Sequence, residues 1–310
     1  MFKTITDKSQ MIKDPVLEME ISSAYDVINL FGKEYRMYKD EWKHHVHFKC
    51  TNNCDANCAF CIERDSRHDG GNPKKFYESC SQLLEQLNEQ GMLRTVSITG
   101  GEPSIFPLIN ETIGLINKYD VMLFSMNTNG RLLNALDRDI VNGWLNISKH
   151  STHDAHIFKR EFEVTPEYLA EIRARQPRAK IRFQCVLGLE DGLQSLDEVK
   201  AFIKHYNDVV DDFSFRSLIV ENKDGEVPQL FKDLRDWLFP HCVEQTIQDY
   251  YVYEVYDVEG YKPITISWSN MYLLKQYNES NNDNFLEEII VHPDGMITGS
   301  WNKKTLIIKE

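Results

Sequence analysis

The stretch Thr51–Arg64, "TNNCDANCAFCIER", places Cys54, Cys58 and Cys61 at the spacing C-x3-C-x2-C. Thiolates are soft ligands for zinc and for iron–sulfur clusters. The whole chain of 310 residues holds seven cysteines, too few for a disulfide framework at that length. A closed structural zinc site takes four ligands, commonly from C-x2-C pairs. Cys50 is the nearest fourth thiol, and it points to the opposite side of its strand. Three thiolates on an iron–sulfur cube leave one iron without a protein ligand, and an open iron can bind a substrate or cofactor directly. On that reading the missing fourth cysteine is itself the functional feature.

Two further stretches carry chemistry. "ITGGEPSIFP" sets Gly100 and Gly101 where backbone must approach something closely, and Glu102 and Pro103 then turn the chain toward a helix. "SKHSTHDAH" carries His150, His153, Asp154 and His156, a set able to do acid–base work or bind metal. Such a loop is more often a solvated helix start, here capped by Thr152 or Asp154.

The elements that must position these groups alternate. Strand-like runs fall at 44–50, 94–99, 121–127, 144–149, 180–187 and 212–220. Helical runs lie between them: "KKFYESCSQLLEQLNEQ", "PLINETIGLINKY", "RLLNALDRDIV", "PEYLAEIRARQ" and "SLDEVKAFIKHY". Such alternation implies parallel strands with right-handed crossovers, here an α/β fold with a partial (β/α)6 barrel. Residues 1–43 form a leading segment with a possible hairpin, 44–240 the barrel, and 241–310 a β-rich C-terminal extension expected to act as a cap. The cysteine loop follows the first strand and the GGEP turn the second, so both belong to the face where barrel enzymes place their sites.

Buried parallel strands usually read as continuous apolar runs. These alternate instead: Val46 and Phe48 with His45, His47 and Lys49; Ile181, Phe183 and Cys185 with Arg182, Gln184 and Val186; Phe213 and Phe215 with Ser214 and Arg216. The apolar face should pack on helices and the polar face should line a hydrated or ligand-filled interior. Its charged members are basic: Lys49, Arg182 and Arg216, with His47 and His150. No Asp or Glu lies on the assigned inner faces, so pairing inside the barrel would need loop acids. Arginine otherwise suits bidentate binding of a carboxylate or phosphate.

At this point the chain resembles the radical S-adenosylmethionine (radical SAM) superfamily. The resemblance rests on the C-x3-C-x2-C loop after the first strand, the GGEP turn after the second, Phe60 just before the third cysteine, and "MNTNG", Met126–Gly130, at the third strand. It covers about residues 46–220. It implies that Cys54, Cys58 and Cys61 hold a [4Fe–4S] cluster whose fourth iron binds the amine and carboxylate of S-adenosylmethionine. It implies that Gly100–Glu102, with Pro103, hold the methionine amine, and that Asn127, Ser148, Val186 and Leu218 contact the ribose, carboxylate or adenine. Reductive cleavage would then give a 5′-deoxyadenosyl radical. Arg216 and His150 are catalytic candidates, and His47, Lys49, Arg182 and Gln184 substrate contacts.

Composition narrows the class. The formal charge is −13, which argues against a nucleic-acid surface as the main feature. No apolar run is long enough to span a bilayer, and the N-terminus lacks the apolar stretch of a signal peptide, so a cytoplasmic protein is expected. The partners expected are a small anionic molecule (a nucleotide, sugar phosphate or amino acid) and a one-electron donor such as flavodoxin or ferredoxin. Arg64, Arg67, His68, Lys74 and Lys75 would steer an acidic reductant. A peptide-modifying maturase is the alternative, its aromatic C-terminal strands ("YYVYEVY") offering an edge to a peptide. A non-enzymatic zinc or iron–sulfur module is the third reading.

Overall fold

The computed structural model describes residues 2–13, 25–38, 45–61, 71–159, 161–217, 227–248, 251–270, 285–286, 288–301 and 306–310. The first half runs β1 (Phe2–Ile5), β2 (Tyr25–Leu30), β3 (Lys33–Tyr38), β4 (His45–Thr51), α1 (Pro73–Glu89), β5 (Thr95–Gly100), α2 (Ile109–Ile116), β6 (Leu123–Thr128) and β7 (Gly143–Ser148). Next come α3 (Ala155–Phe158), α4 (Pro166–Arg175), β8 (Lys180–Leu187), α5 (Leu196–Tyr206), β9 (Asp212–Ser217) and α6 (Gln229–Leu238). The chain closes with β10 (Cys242–Gln248), β11 (Tyr251–Tyr256), β12 (Ile264–Ser269), β13 (Phe285–Leu286), β14 (Ile289–Val291), β15 (Ile297–Thr298) and β16 (Ile307–Lys309). Among the described residues no helix is long and apolar enough to cross a membrane.

Two compact units result. The cysteine unit comprises Ala24–Ile147, Phe158–Lys180 and Asn282–Glu310; the second unit comprises Met1–Ser23, Ser148–Ile157 and Ile181–Asn281.

In the cysteine unit the strand order is β7-β6-β5-β4-β14-β15-β16. Pairing is parallel from β7 to β14 and antiparallel beyond. A hairpin, β2 against β3, joins β13 in a separate small sheet. The crossover helix α1 begins where Asn72 accepts from the Lys75 N–H at 3.1 Å and Pro73 opens the first turn. It buries Phe76, Cys80, Leu83, Leu84 and Leu87 along one stripe. Each such large apolar side chain contributes about 1.5–3 kcal/mol, against about 1 kcal/mol for a cap. Packing therefore decides that the helix forms, and the cap decides where it starts.

The expected helix "RLLNALDRDIV" is not present; only Leu133–Ala135 makes a 3-10 turn. Side-chain amides on the neighbouring helices take up its backbone donors. Asn110 Oδ1 accepts from Asp137 and Arg138, Gln176 Oε1 from Ile140 and Asn117 Oδ1 from Val141. With those N–H groups satisfied, a helix has nothing further to gain there.

In the second unit the order is β1-β10-β11-β12-β9-β8, with β8, β9 and β12 parallel and the rest antiparallel. Strand β8 alternates as its sequence does: Ile181, Phe183, Cys185 and Leu187 are buried, and Arg182, Gln184 and Val186 are half-buried. Phe183, Phe202, Tyr206 and Phe213 form an edge-to-face cluster between strand and helix, with Phe183 and Tyr206 centroids 4.9 Å apart. The strands after residue 240 are thus shared out: β10–β12 extend the second unit's sheet from β9, and β14–β16 extend the cysteine unit's sheet from β4.

Candidate functional site in the cysteine unit

The cysteine loop leaves β4 and runs against the turn that ends β5. Gly101 donates its N–H to Thr51 O at 2.7 Å, and Glu102 donates to Asn53 O at 2.8 Å. These bonds explain the paired glycines. A Cβ on Gly100, whose φ is +135°, would stand 2.3 Å from Thr51 O, and one on Gly101 would stand 2.0 Å from Asn53 O. The close approach expected from the sequence is to the cysteine loop's own backbone.

Glu102 is fully buried. Its Oε1 accepts from Ser104 N, Ser104 Oγ and Thr128 Oγ1, and its Oε2 accepts from Asn129 N at 2.7 Å. Burial pushes its pKa up from the usual carboxylate range, and the four donors pull against that shift. The side chain therefore ties the turn to the loop after β6; what the turn can offer a ligand is its backbone. Pro103 is buried beside it, opening a short 3-10 turn.

Cys54, Cys58 and Cys61 are free thiols on one loop, all half-buried, as is Phe60. The Ala56 N–H donates to Cys54 Sγ at 3.4 Å. Asn129 Nδ2 donates to Asp55 Oδ1 at 2.6 Å and lies 4.0 Å from Cys54 Sγ. Arg131 closes the set by donating to Asp55 Oδ2 at 2.7 Å. Cys50 is committed elsewhere: it is buried, its Sγ donates to Thr99 O at 3.3 Å, and burial raises its pKa well above the usual thiol range. That engagement speaks against Cys50 as a fourth zinc ligand. Three soft sulfurs on one loop, with backbone and amide N–H groups turned toward one of them, suit an iron–sulfur cluster in ligand type; among the described residues no three His, Cys, Asp or Glu side chains are gathered closely enough to hold a metal ion.

The polar face of the same sheet carries His47, Lys49, Ser97, Asn127 and Asn146. Asn146 Nδ2 donates to Asn127 Oδ1 at 3.1 Å, and Asn127 Nδ2 donates to Ser97 Oγ at 3.0 Å, a ladder across three strands. Asn146 is buried, and its Oδ1 has no partner among the described residues. Lys49 is buried as well. His47 meets two residues from the C-terminal segment. Glu288 Oε1 lies 3.5 Å from its Nε2, and the Trp301 ring centroid is 4.9 Å from its own. Trp301 Nε1 donates to Glu288 Oε2 at 2.5 Å. Burial would raise the Glu288 pKa, but His47, His45 and the indole outweigh it and hold the group at about 2.

The second unit carries the remaining candidates. Ser148 is half-buried. His150 is buried, and its Nδ1 accepts from the Val186 N–H at 3.1 Å, which leaves Nε2 as the proton-bearing nitrogen of a neutral ring. Asp154 accepts from the His150 N–H and from a fully buried Lys149 Nζ at 2.8 Å. His153 and His156 are exposed. Gln184 and Val186 are half-buried and Arg216 is exposed. Arg182 corrects the expectation that the inner faces hold no acid. Its Nε donates to Asp212 Oδ1 at 2.6 Å, in register across β8 and β9. Asp212 stands two residues before Ser214 and so shares its face. Leu218, Arg64, Arg67 and His68 lie outside the described residues. Lys74 and Lys75 are in the first turn of α1, where Lys74 makes a loose surface pair with Glu78 at 3.9 Å.

Sequence reasoning missed Asp55, Asn129, Arg131, Asp212, Glu288 and Trp301 as members of these clusters. Asp212 could have been found by extending the alternation of its strand one step back. Asn129 stood inside the "MNTNG" stretch, but Cys54 and Asp55, which its side-chain nitrogen meets, lie more than 70 residues away.

Residues 48–189 match the family model described as Radical SAM superfamily. Two curated relatives are each named "Probable GTP 3′,8-cyclase". The one from Sulfolobus acidocaldarius is 34% identical over 35% of this chain and 34% of its own length. The one from Thermococcus kodakarensis is 29% identical over 46% of this chain and 48% of its own length. The matched part therefore spans between a third and a half of those relatives. Among solved structures, Streptococcus suis SuiB bound to S-adenosylmethionine is similar with a TM-score of 0.54 at 14% identity, covering 84% of this chain and 61% of that one. Native anSMEcpe with bound AdoMet is similar at 0.51 and 13%, covering 84% and 76%. At such identities the likeness is one of fold: α/β, a partial barrel of the radical SAM type with C-terminal strands. The cysteine loop, the glycine turn packed on it and the family model agree: residues 48–189, a little under half of the chain, match the radical SAM superfamily.

Proposed function

We propose that this chain binds a [4Fe–4S] cluster through Cys54, Cys58 and Cys61 together with S-adenosylmethionine, and acts on a small, polar, anionic molecule, with nucleotides the favoured class. The observation that carries the substrate reading is the polar strand face of the cysteine unit. The Ser97–Asn127–Asn146 ladder ends in a buried acceptor without a partner among the described residues, and His47 Nε2 likewise lacks a hydrogen bond there. Glu288, at 3.5 Å, offers that nitrogen charge attraction. Buried polar atoms are normally satisfied, so atoms left open on one face are where ligand N–H and O–H groups would add bonds. The two GTP 3′,8-cyclase relatives support the nucleotide class.

When bound, the cluster and S-adenosylmethionine would supply a 5′-deoxyadenosyl radical after one-electron reduction. The chain's own residues would bind and orient. The Gly100–Glu102 backbone would take the methionine amine, and Asn127, Ser148, Val186 and Leu218 the rest of the cofactor. Lys49, His47, Gln184 and Arg182 would contact substrate, Arg182 while still paired to Asp212. Arg216 would meet an anionic group, and His150 would move a proton at Nε2. A flavodoxin- or ferredoxin-like donor would supply the electron, with Lys74 and Lys75 among the groups that attract it.

The test is anaerobic. The chain is reconstituted with iron and sulfide, reduced with dithionite, and given S-adenosylmethionine alone, with pooled nucleotides and sugar phosphates, or with a peptide pool. Release of 5′-deoxyadenosine should rise with the small anions. A rise with peptides alone would replace this reading with the maturase one, and no release from a cluster-loaded chain would sink both.

A further inference from the structure

The proposed cluster has a chain-borne control that the cysteine motif does not reveal. We propose that Asn129 is a positioning residue for Cys54 that also sets how readily the cluster is reduced. This rests on the assignment of Cys54 as a cluster ligand.

Asn129 occupies a junction. Its backbone N–H is held by Glu102 Oε2 at 2.7 Å, which fixes it to the glycine turn. Its Oδ1 accepts from the Arg131 N–H at 3.0 Å, closing a local turn two residues on. One amide hydrogen goes to Asp55 Oδ1 at 2.6 Å, and the same nitrogen stands 4.0 Å from Cys54 Sγ. A planar amide has two N–H bonds in fixed directions. The short bond to Asp55 therefore orients the second hydrogen toward the sulfur. Asp55 is itself pinned by Arg131 at 2.7 Å, and Tyr168 holds the Arg131 carbonyl from α4 at 3.1 Å. The side chain is buried, so water competes little for the sulfur.

The Ala56 N–H already reaches Cys54 Sγ at 3.4 Å, and Asn129 adds a donor from outside the loop. Hydrogen bonds to cluster sulfurs stabilise the more negative, reduced state and raise the reduction potential. Asn129 thus links the turn assigned to S-adenosylmethionine with the ligand whose charge decides when an electron is accepted.

The test compares wild type with Asn129→Ser and Asn129→Asp, all reconstituted and titrated anaerobically with redox mediators, the reduced cluster read by electron paramagnetic resonance. Serine keeps an oxygen for the Arg131 N–H but cannot reach Cys54. Aspartate keeps the acceptor, removes the donor and adds a negative charge. Ser104→Ala is the control, since it takes one donor from Glu102 without touching Cys54. At the potential that half-reduces wild type, the reduced-to-oxidised ratio should fall several-fold in Asn129→Ser, fall further in Asn129→Asp, and stay unchanged in Ser104→Ala. Equal midpoints in wild type and both Asn129 variants, at full iron and sulfide content, would overturn the assignment. So would a Ser104→Ala shift as large as that of Asn129→Ser, since the effect would then be general loosening. A wild-type chain that takes up no iron overturns the cluster reading as well, which separates the two failures.

Discussion

Two glutamates, one in each unit, are fully buried and solve the same problem with opposite chemistry. In the cysteine unit Glu102 is met by neutral donors only, two hydroxyls and two backbone N–H groups. In the second unit Glu254 faces a guanidinium: Arg235 donates Nε at 2.8 Å and Nη2 at 2.9 Å, with Gln245 and Tyr256 adding bonds. Arg235 and Gln245 also hold the Ile12–Lys13 backbone, so this network anchors the N-terminal segment. The difference lies in what each must hold. An ion pair supplies its own counter-charge and can be placed wherever two strands and a helix meet. Neutral donors must come from the segments being joined, so Glu102 gathers four of them, from its own turn and from the end of β6, into one arrangement.

The largest effect expected is from Arg235→Ala. Removing one partner of a buried pair should cost about 3–5 kcal/mol, read as a lower denaturation midpoint. Iron uptake by the folded chain should be unchanged. Replacing both Arg235 and Glu254 by apolar residues of similar volume should recover most of that loss. Failure to recover would mean that the ties to Ile12 and Lys13, not the pair, carry the stability.

Glu102→Ala should come next, at about 2–3 kcal/mol from donors left unsatisfied. It should also lower iron content after reconstitution, because Asn129 and the glycine turn lose their common anchor. No apolar residue should rescue it. The pH dependence follows from the raised pKa. The group is bound more tightly by protons in the folded state, so its contribution is fully present below about 4.5 and falls as pH rises through the folded value. Stability of Glu102→Ala should lack that decline; an unchanged pH profile would count against it.

Glu288 sharpens the contrast with a third solution, one histidine and one indole at a site where its side chain is 23% exposed. Solvent screening keeps the expected loss in Glu288→Gln near 1 kcal/mol. The sign is opposite to that of Glu102. With its pKa lowered from 4.5 to about 2, its contribution is present above 4.5 and lost as pH falls toward 2. Acid unfolding of Glu288→Gln should therefore show a shallower limb over that window.

How far the sequence reaches can be seen residue by residue. The strand starting at His45 and the one starting at Lys180 showed their two faces in the letters, because side-chain direction along a strand has a fixed period of two. The cysteine loop and the glycine turn were legible for the same local reason: a glycine pair in a βα turn signals crowding whatever crowds it. The stretch after Gly130 failed as a helix because Asn110, Asn117 and Gln176, from two other helices, took its backbone donors. Nothing within that stretch announces them.

The sequence by itself determined the family resemblance, the parallel α/β alternation, the thiol loop and the polar strand faces, since each rests on spacing or on one residue's own geometry. Tertiary structure decided who pairs with whom. It set Asp212 against Arg182, brought Glu288 and Trp301 from the far end of the chain to His47, turned the Glu102 side chain inward to gather a loop, and laid the Asn129 amide beside Cys54. Those choices are non-local. A buried polar group must find a partner, and which one it finds depends on where strands and helices bring other donors and acceptors, a quantity no single stretch of sequence contains.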